Sequence, residues 1–120
     1  LAQESGARPV TVFIIEYQEL VMARRIVPNY HPGEILQARY LFPAGLSAHA
    51  LAKKLYVSPS RIERIIAGRL PVTVDTALRF ARFFNTDPHY WLQLQQDFDL
   101  SRASIAMQSL LADIQPVDYS

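Results

Sequence analysis

Apolar residues recur at three- and four-residue intervals through most of the chain: Leu51 and Leu55; Ile62, Ile65 and Ile66; Leu78, Ala81 and Phe84; Trp91, Leu92 and Leu94. This spacing gathers each set on one face of a helix, and no useful length alternates with the period of two that a strand needs. Caps and breakers then cut residues 30–115 into short segments. His31-Pro32-Gly33-Glu34 predicts a first helix, with Pro32 at the first position, where its missing N–H is harmless. It runs to about Leu41 and is broken by Pro43-Ala44-Gly45. Ser47 caps a second helix, 48–55, and Ser58-Pro59 opens a third, 59–67, which Gly68 ends in the left-handed conformation. Pro71 forbids continuation, and Thr73 caps a fourth helix, 74–84. Asp87-Pro88 opens a fifth, running to about Phe98. Ser101 caps a sixth, with Ile105, Leu110, Leu111 and Ile114 as its apolar side and Pro116 as its stop. Short connections between such helices predict a compact all-α fold.

The first 29 residues read differently. Val10-Thr11-Val12-Phe13-Ile14-Ile15 has strand propensity and residues 16–25 have helix propensity. Met22 begins Met-Ala-Arg-Arg, so the preceding residues are either additions to a start at Met22 or an arm that packs on the domain or a second subunit. The organisation expected is an N-terminal extension at 1–29, a helical domain at 30–100 and a C-terminal helix and tail at 101–120.

Composition narrows the class. A chain of 120 residues, half of them hydrophobic, suits one domain with a modest core. The absence of cysteine excludes disulfides and thiolate metal sites, which suits the reducing cytoplasm. No apolar run reaches membrane-spanning length, and the short run at 10–15, followed by Glu16 and Glu19, lacks the layout of a signal peptide. His31, His49 and His89 have no metal-ligand spacing; none of the three belongs to an H-x3-H pair or an HExxH run. His31 precedes a helix; His49 is either solvated or faces a phosphate. Asp97 and Asp99 are too close in sequence to face one another on a helix. With no nucleophile elbow, P-loop or glycine-rich nucleotide motif, no enzyme activity and no cofactor are expected.

Net charge is only +1, but its distribution is uneven. Residues 1–23 carry −2, residues 24–69 carry +6, and residues 70–120, with six aspartates, carry −3. A basic middle between acidic ends suits a polyanion held by that middle, and suits an ordinary solvated surface equally.

The sharper signal is Ser47–Ala67. Leu51, Leu55, Val57, Ile62, Ile65 and Ile66 are apolar where two short helices must bury residues across a turn at Tyr56-Val57-Ser58, and the small Ala52 allows close approach. The other face of the third helix carries Ser60, Arg61, Glu63, Arg64 and Ala67. A recognition helix presents such a face, polar and basic near its N-terminus, to base edges in the major groove. A helical hairpin without any DNA role fits the same pattern. Trp91, Phe80, Phe83 and Phe84 read first as core, and as a partner-binding patch second.

The order of motifs adds to this. His31-Pro32-Gly33-Glu34-Ile35-Leu36, Gly45-Leu46-Ser47, Leu51-Ala52, Leu55, Val57-Ser58, Arg61-Ile62, Ile65 and Gly68 occur in succession. Pro71, Thr73, Asp75-Thr76-Ala77-Leu78-Arg79, Phe83-Phe84, Pro88, Trp91-Leu92, Leu94-Gln95 and Phe98-Asp99-Leu100 follow. This succession, covering about residues 31–100, resembles the HigA-type, VapI-like antitoxins, a branch of the Cro/repressor-like (XRE) helix-turn-helix superfamily. The resemblance implies a lambda-repressor-like DNA-binding domain of five to six helices, a homodimer, repression of its own operon, and neutralisation of a toxin. The toxins of the family are small ribonucleases that cleave messenger RNA on ribosomes. Three positions depart from the pattern. Tyr56 stands where the family has glycine in the turn, Pro59 where a polar or basic residue is usual, and Asn85 where glycine ends the fourth helix. A left-handed non-glycine residue is strained by about 1–2 kcal/mol, so either the turn is reshaped or packing of the Tyr56 ring compensates.

On this reading the DNA-binding residues are Ser58, Ser60, Arg61, Arg64, Arg69, Lys53, Lys54 and Thr73. Arg61 and Arg64 read or orient on bases; Ser58, Ser60 and Arg69 grip phosphates; Lys53 and Lys54 add long-range attraction. Thr73 either offers phosphate its helix-terminal N–H groups or simply caps. Two copies would span an inverted repeat of double-stranded operator DNA. The alternatives are a stand-alone repressor without a toxin, and a toxin-binding module whose DNA affinity has decayed.

Overall fold

The computed structural model describes residues 30–119, all of whose regular structure is helical. The strand, helix and arm readings of 1–29 lie outside the described residues. Element α1 spans 32–44, as an α-helical turn Pro32–Ile35, a wider π-helical stretch Leu36–Leu41 and a final turn Phe42–Ala44. Next come α2, Ala48–Leu55, and α3, Pro59–Ile66. They are followed by α4, Val74–Phe84, α5, Pro88–Ala106, and α6, Gln108–Ala112.

The expected caps are in place. Ser47, Ser58, Thr73 and Asp87 each accept a hydrogen bond from a backbone N–H of the turn they open. Gly45 and Gly68 hold left-handed φ values of 64° and 75° at the ends of α1 and of the segment after α3.

Two boundaries differ from expectation. The first helix does not stop at Leu41 but continues through Pro43 to Ala44. In an α-helical register the Pro43 ring would press on the carbonyl of residue 39; the preceding stretch is instead wound wider, with the Phe42 N–H on the Gln37 carbonyl. Nor does Ser101 cap a new helix. It lies inside α5, whose 19 residues run unbroken to Ala106. Nothing near Ser101 breaks a helix, and the turns are tied at four-residue spacing: Gln93 donates to Asp97 at 3.0 Å, Gln95 donates to Asp99 at 3.0 Å, and the Arg102 guanidinium lies 5.3 Å from the Phe98 ring centroid. The break comes at Met107, and the residues expected to form the apolar side of a sixth helix, Ile105, Leu110, Leu111 and Ile114, are exposed.

The core joins α1 to α5. Leu36, Leu41, Leu51, Ala52, Leu55, Ile62, Ile65, Val72, Ala77, Phe80 and Trp91 are buried in one cluster. Trp91 sits against Tyr40 and Phe80, with ring centroids 5.0 and 4.9 Å away, and its indole N–H donates to the Thr86 hydroxyl at 2.9 Å. Of the four aromatics read as core, Phe83 is the one left exposed.

Two contacts fix α3 within this frame. Gly33 packs directly on the Ile65 carbonyl, so a Cβ there would collide with backbone. The buried Gln95 of α5 accepts the Val72 N–H at 2.8 Å, which pins the loop between α3 and α4.

Candidate nucleic-acid interface

The two faces of α3 are sorted by burial. Ile62 and Ile65 are sealed in the core, while Pro59, Ser60, Glu63, Arg64 and Ala67 are exposed. No other part of the described chain covers the outer face. Its acidic member, Glu63, accepts a 3.0 Å hydrogen bond from His49 of α2, whose side chain remains 70% exposed, so His49 is a solvated residue tied to the outer face of α3.

The turn before α3 keeps a left-handed residue despite lacking glycine. Tyr56 has φ 60° and ψ 43°, and the Val57 N–H reaches back to the Ala52 carbonyl at 3.1 Å. Neither compensation expected for Tyr56 is present, because the turn is not reshaped and the ring is 90% exposed. Asn85 adopts the same conformation, φ 57°, after α4.

Seven of the eight predicted site residues divide into three groups. Ser60 and Arg64 lie on the open face of α3. Lys53 and Lys54 are exposed in the last turn of α2, and Arg69 is exposed just past Gly68. Ser58 and Thr73 are exposed and serve as caps, accepting the N–H groups of Arg61 and Thr76 at 3.3 and 3.4 Å.

Arg61 stands apart. Its side chain is 34% exposed, and one guanidinium nitrogen donates to Asp75 Oδ1 at 2.8 Å and approaches the Thr76 hydroxyl at 3.5 Å. The expectation that Arg61 points to bases therefore meets an ion pair with α4.

Asp75 and Arg79 were not among the predicted site residues. Arg79 Nε donates to the same Asp75 oxygen at 2.7 Å, and Arg79 Nη1 donates to the Leu55 carbonyl at the end of α2. One carboxylate thus ties α3 to α4, and Arg79 carries the tie to α2. The hydrogen bonds from Arg79 and then from Arg61 hold the Asp75 carboxyl below the usual range, and Asp75 in turn raises Arg79. The four-residue spacing of Asp75 and Arg79 was the available signal for half of this cluster. Nothing in sequence separation pointed to Arg61.

Two short capped helices crossing over a tight turn, the second with one sealed and one open face, define a helix-turn-helix domain. A family model described as helix-turn-helix matches residues 36–91. "Virulence-associated protein I" of Dichelobacter nodosus is 52% identical over 84 residues, which is 70% of this chain and 78% of that protein. The solved structure of an addiction module antidote protein of a HigA family from Coxiella burnetii superposes with a TM-score of 0.71 at 37% identity. That match covers 76% of this chain and 100% of the other. The structure described as Pseudomonas aeruginosa antitoxin HigA with higBA promoter superposes at 0.72 with 32% identity, covering 75% and 99%. The chain belongs to the HigA family of helix-turn-helix antitoxins.

Proposed function

We propose that this protein is a DNA-binding antitoxin that represses its own operon and neutralises a ribonuclease toxin in the cytoplasm. The observation that carries the DNA half is the uncovered face of α3, with Ser60 and Arg64 turned outward while Ile62 and Ile65 anchor the helix from behind. The relative solved with its promoter supports the same reading. Among the described residues no helix is long and apolar enough to cross a membrane.

In this proposal residues 30–100 form the DNA-binding domain, 1–29 an extension and 101–120 a tail that continues α5. Two copies place α3 in successive major grooves about 34 Å apart, over an inverted repeat. Arg64 forks onto a base, Ser58, Ser60 and Arg69 hold phosphates, and the N-terminal N–H groups of α4 beside Thr73 take another. Lys53 and Lys54 attract the duplex at longer range.

The test is an anisotropy titration of a labelled duplex from the region upstream of the gene. Specific binding is expected, with Arg64→Ala weakening it by about 1–3 kcal/mol, or roughly five- to 150-fold. Unchanged affinity in that variant removes Arg64 from the reading set. Co-purification with the product of the adjacent gene, without any specific duplex binding, favours a toxin-capping module instead. Specific DNA binding with no such partner favours a stand-alone repressor.

A further inference from the structure

We propose that Asp75 is a positioning residue that keeps Arg61 off the DNA backbone, so that affinity for duplex of arbitrary sequence is held down. The inference rests on the DNA-binding function proposed above. Arg61 is in the third position of α3, near the end that enters the groove, and an arginine there would ordinarily add a phosphate contact that carries no sequence information. Here its guanidinium is committed to Asp75 Oδ1 at 2.8 Å and lies 3.5 Å from the Thr76 hydroxyl. The carboxylate is itself held in place by Arg79, whose other end is anchored on the Leu55 carbonyl. Arg79 thus fixes Asp75, and Asp75 fixes Arg61. Among the described residues Arg64, Arg69, Lys53 and Lys54 are in no ion pair, and they differ from Arg61 in that respect. The cluster of two guanidiniums and one carboxylate presents one net positive charge at the start of α4. Neutralising Asp75 would present two and release Arg61, which unlike Arg79 has no backbone carbonyl as a second anchor among the described residues.

The experiment measures binding of the full chain to two labelled duplexes across a range of salt. One is the upstream region and the other a scrambled sequence of equal length and composition. Asp75→Asn should tighten binding to the scrambled duplex several-fold and narrow the ratio between the two. It should also steepen the salt dependence by about one phosphate equivalent, an extra loss of about threefold between 50 and 200 mM salt. Arg61→Ala alone should leave the salt dependence as it is. The double variant should return to the wild-type slope, since the gain passes through Arg61.

A flatter slope in Arg61→Ala overturns the proposal, because Arg61 would then already be on phosphate. So does a double variant that keeps the slope of Asp75→Asn, because simple loss of a negative charge would explain it. An unchanged slope in a folded Asp75→Asn also overturns it. Should Asp75→Asn fail to fold by circular dichroism, the Arg61→Ala slope decides alone. A wild-type chain that binds neither duplex removes the DNA reading itself, an outcome distinct from all of these.

Discussion

Tyr56 holds a conformation that L-residues avoid, and its ring contacts little that would offset the strain. Left-handed strain of about 1–2 kcal/mol is set against the extra unfolded-state freedom that glycine brings, about 0.4–1 kcal/mol. Tyr56→Gly should therefore stabilise the domain by about 0.5–1 kcal/mol, seen as a higher urea midpoint with an unchanged slope. A lower midpoint would mean that the ring packs where the structure shows it exposed. Gly33 is the reverse case. A methyl group there meets the Ile65 carbonyl, so Gly33→Ala should destabilise by about 1–3 kcal/mol in the same measurement, despite alanine's better helix propensity. The motif containing Gly33 was visible in the sequence, but the reason for it was not, because the clash is with a residue 32 positions away.

At the scale of elements, caps and apolar spacing revealed most of the helices, since both are local properties. Ser47, Ser58, Thr73 and Asp87 start the helices they were expected to start. The misplaced boundaries have a common cause. Pro43 and Ser101 are local signals whose effect depends on neighbouring turns, the wider winding before one and the four-residue ties around the other. Contacts between elements were less legible. In the sequence Gln95 is only part of the motif Leu94-Gln95, with no role of its own, yet it is buried and supplies the acceptor for the Val72 N–H. Gln95→Leu should leave that N–H buried without a partner and destabilise by about 1–3 kcal/mol, measured by thermal or urea unfolding. The same gap explains Arg61. The basic outer face of α3 was readable from period alone, but its pairing with Asp75 depends on how α4 crosses α3.

For the whole molecule the first consequence concerns acid. His31 is buried, its Nδ1 accepts the Gly33 N–H at 2.9 Å, and its ring meets Phe98 edge-on at 5.0 Å. Burial lowers its pKa from the ordinary value near 6.5, against the pull of Asp99 and Glu34 in the other direction and with Arg102 assisting. The unfolded chain then binds a proton that the folded chain resists. Stability from this residue is full above about pH 6.5 and falls as the pH drops toward the folded value. Melting temperatures at pH 7.5 and 5 should differ, and His31→Asn, which keeps a capping oxygen, should reduce the difference. A second consequence concerns salt. Lys53→Ala should weaken binding to all duplexes alike and lower the salt slope by about one. All of these folding measurements have an internal reporter. The chain's single tryptophan, Trp91, is sealed in the aromatic centre with its N–H satisfied, so its emission should move to longer wavelength when the centre opens to water. Each variant can then be followed by its own light, without a dye.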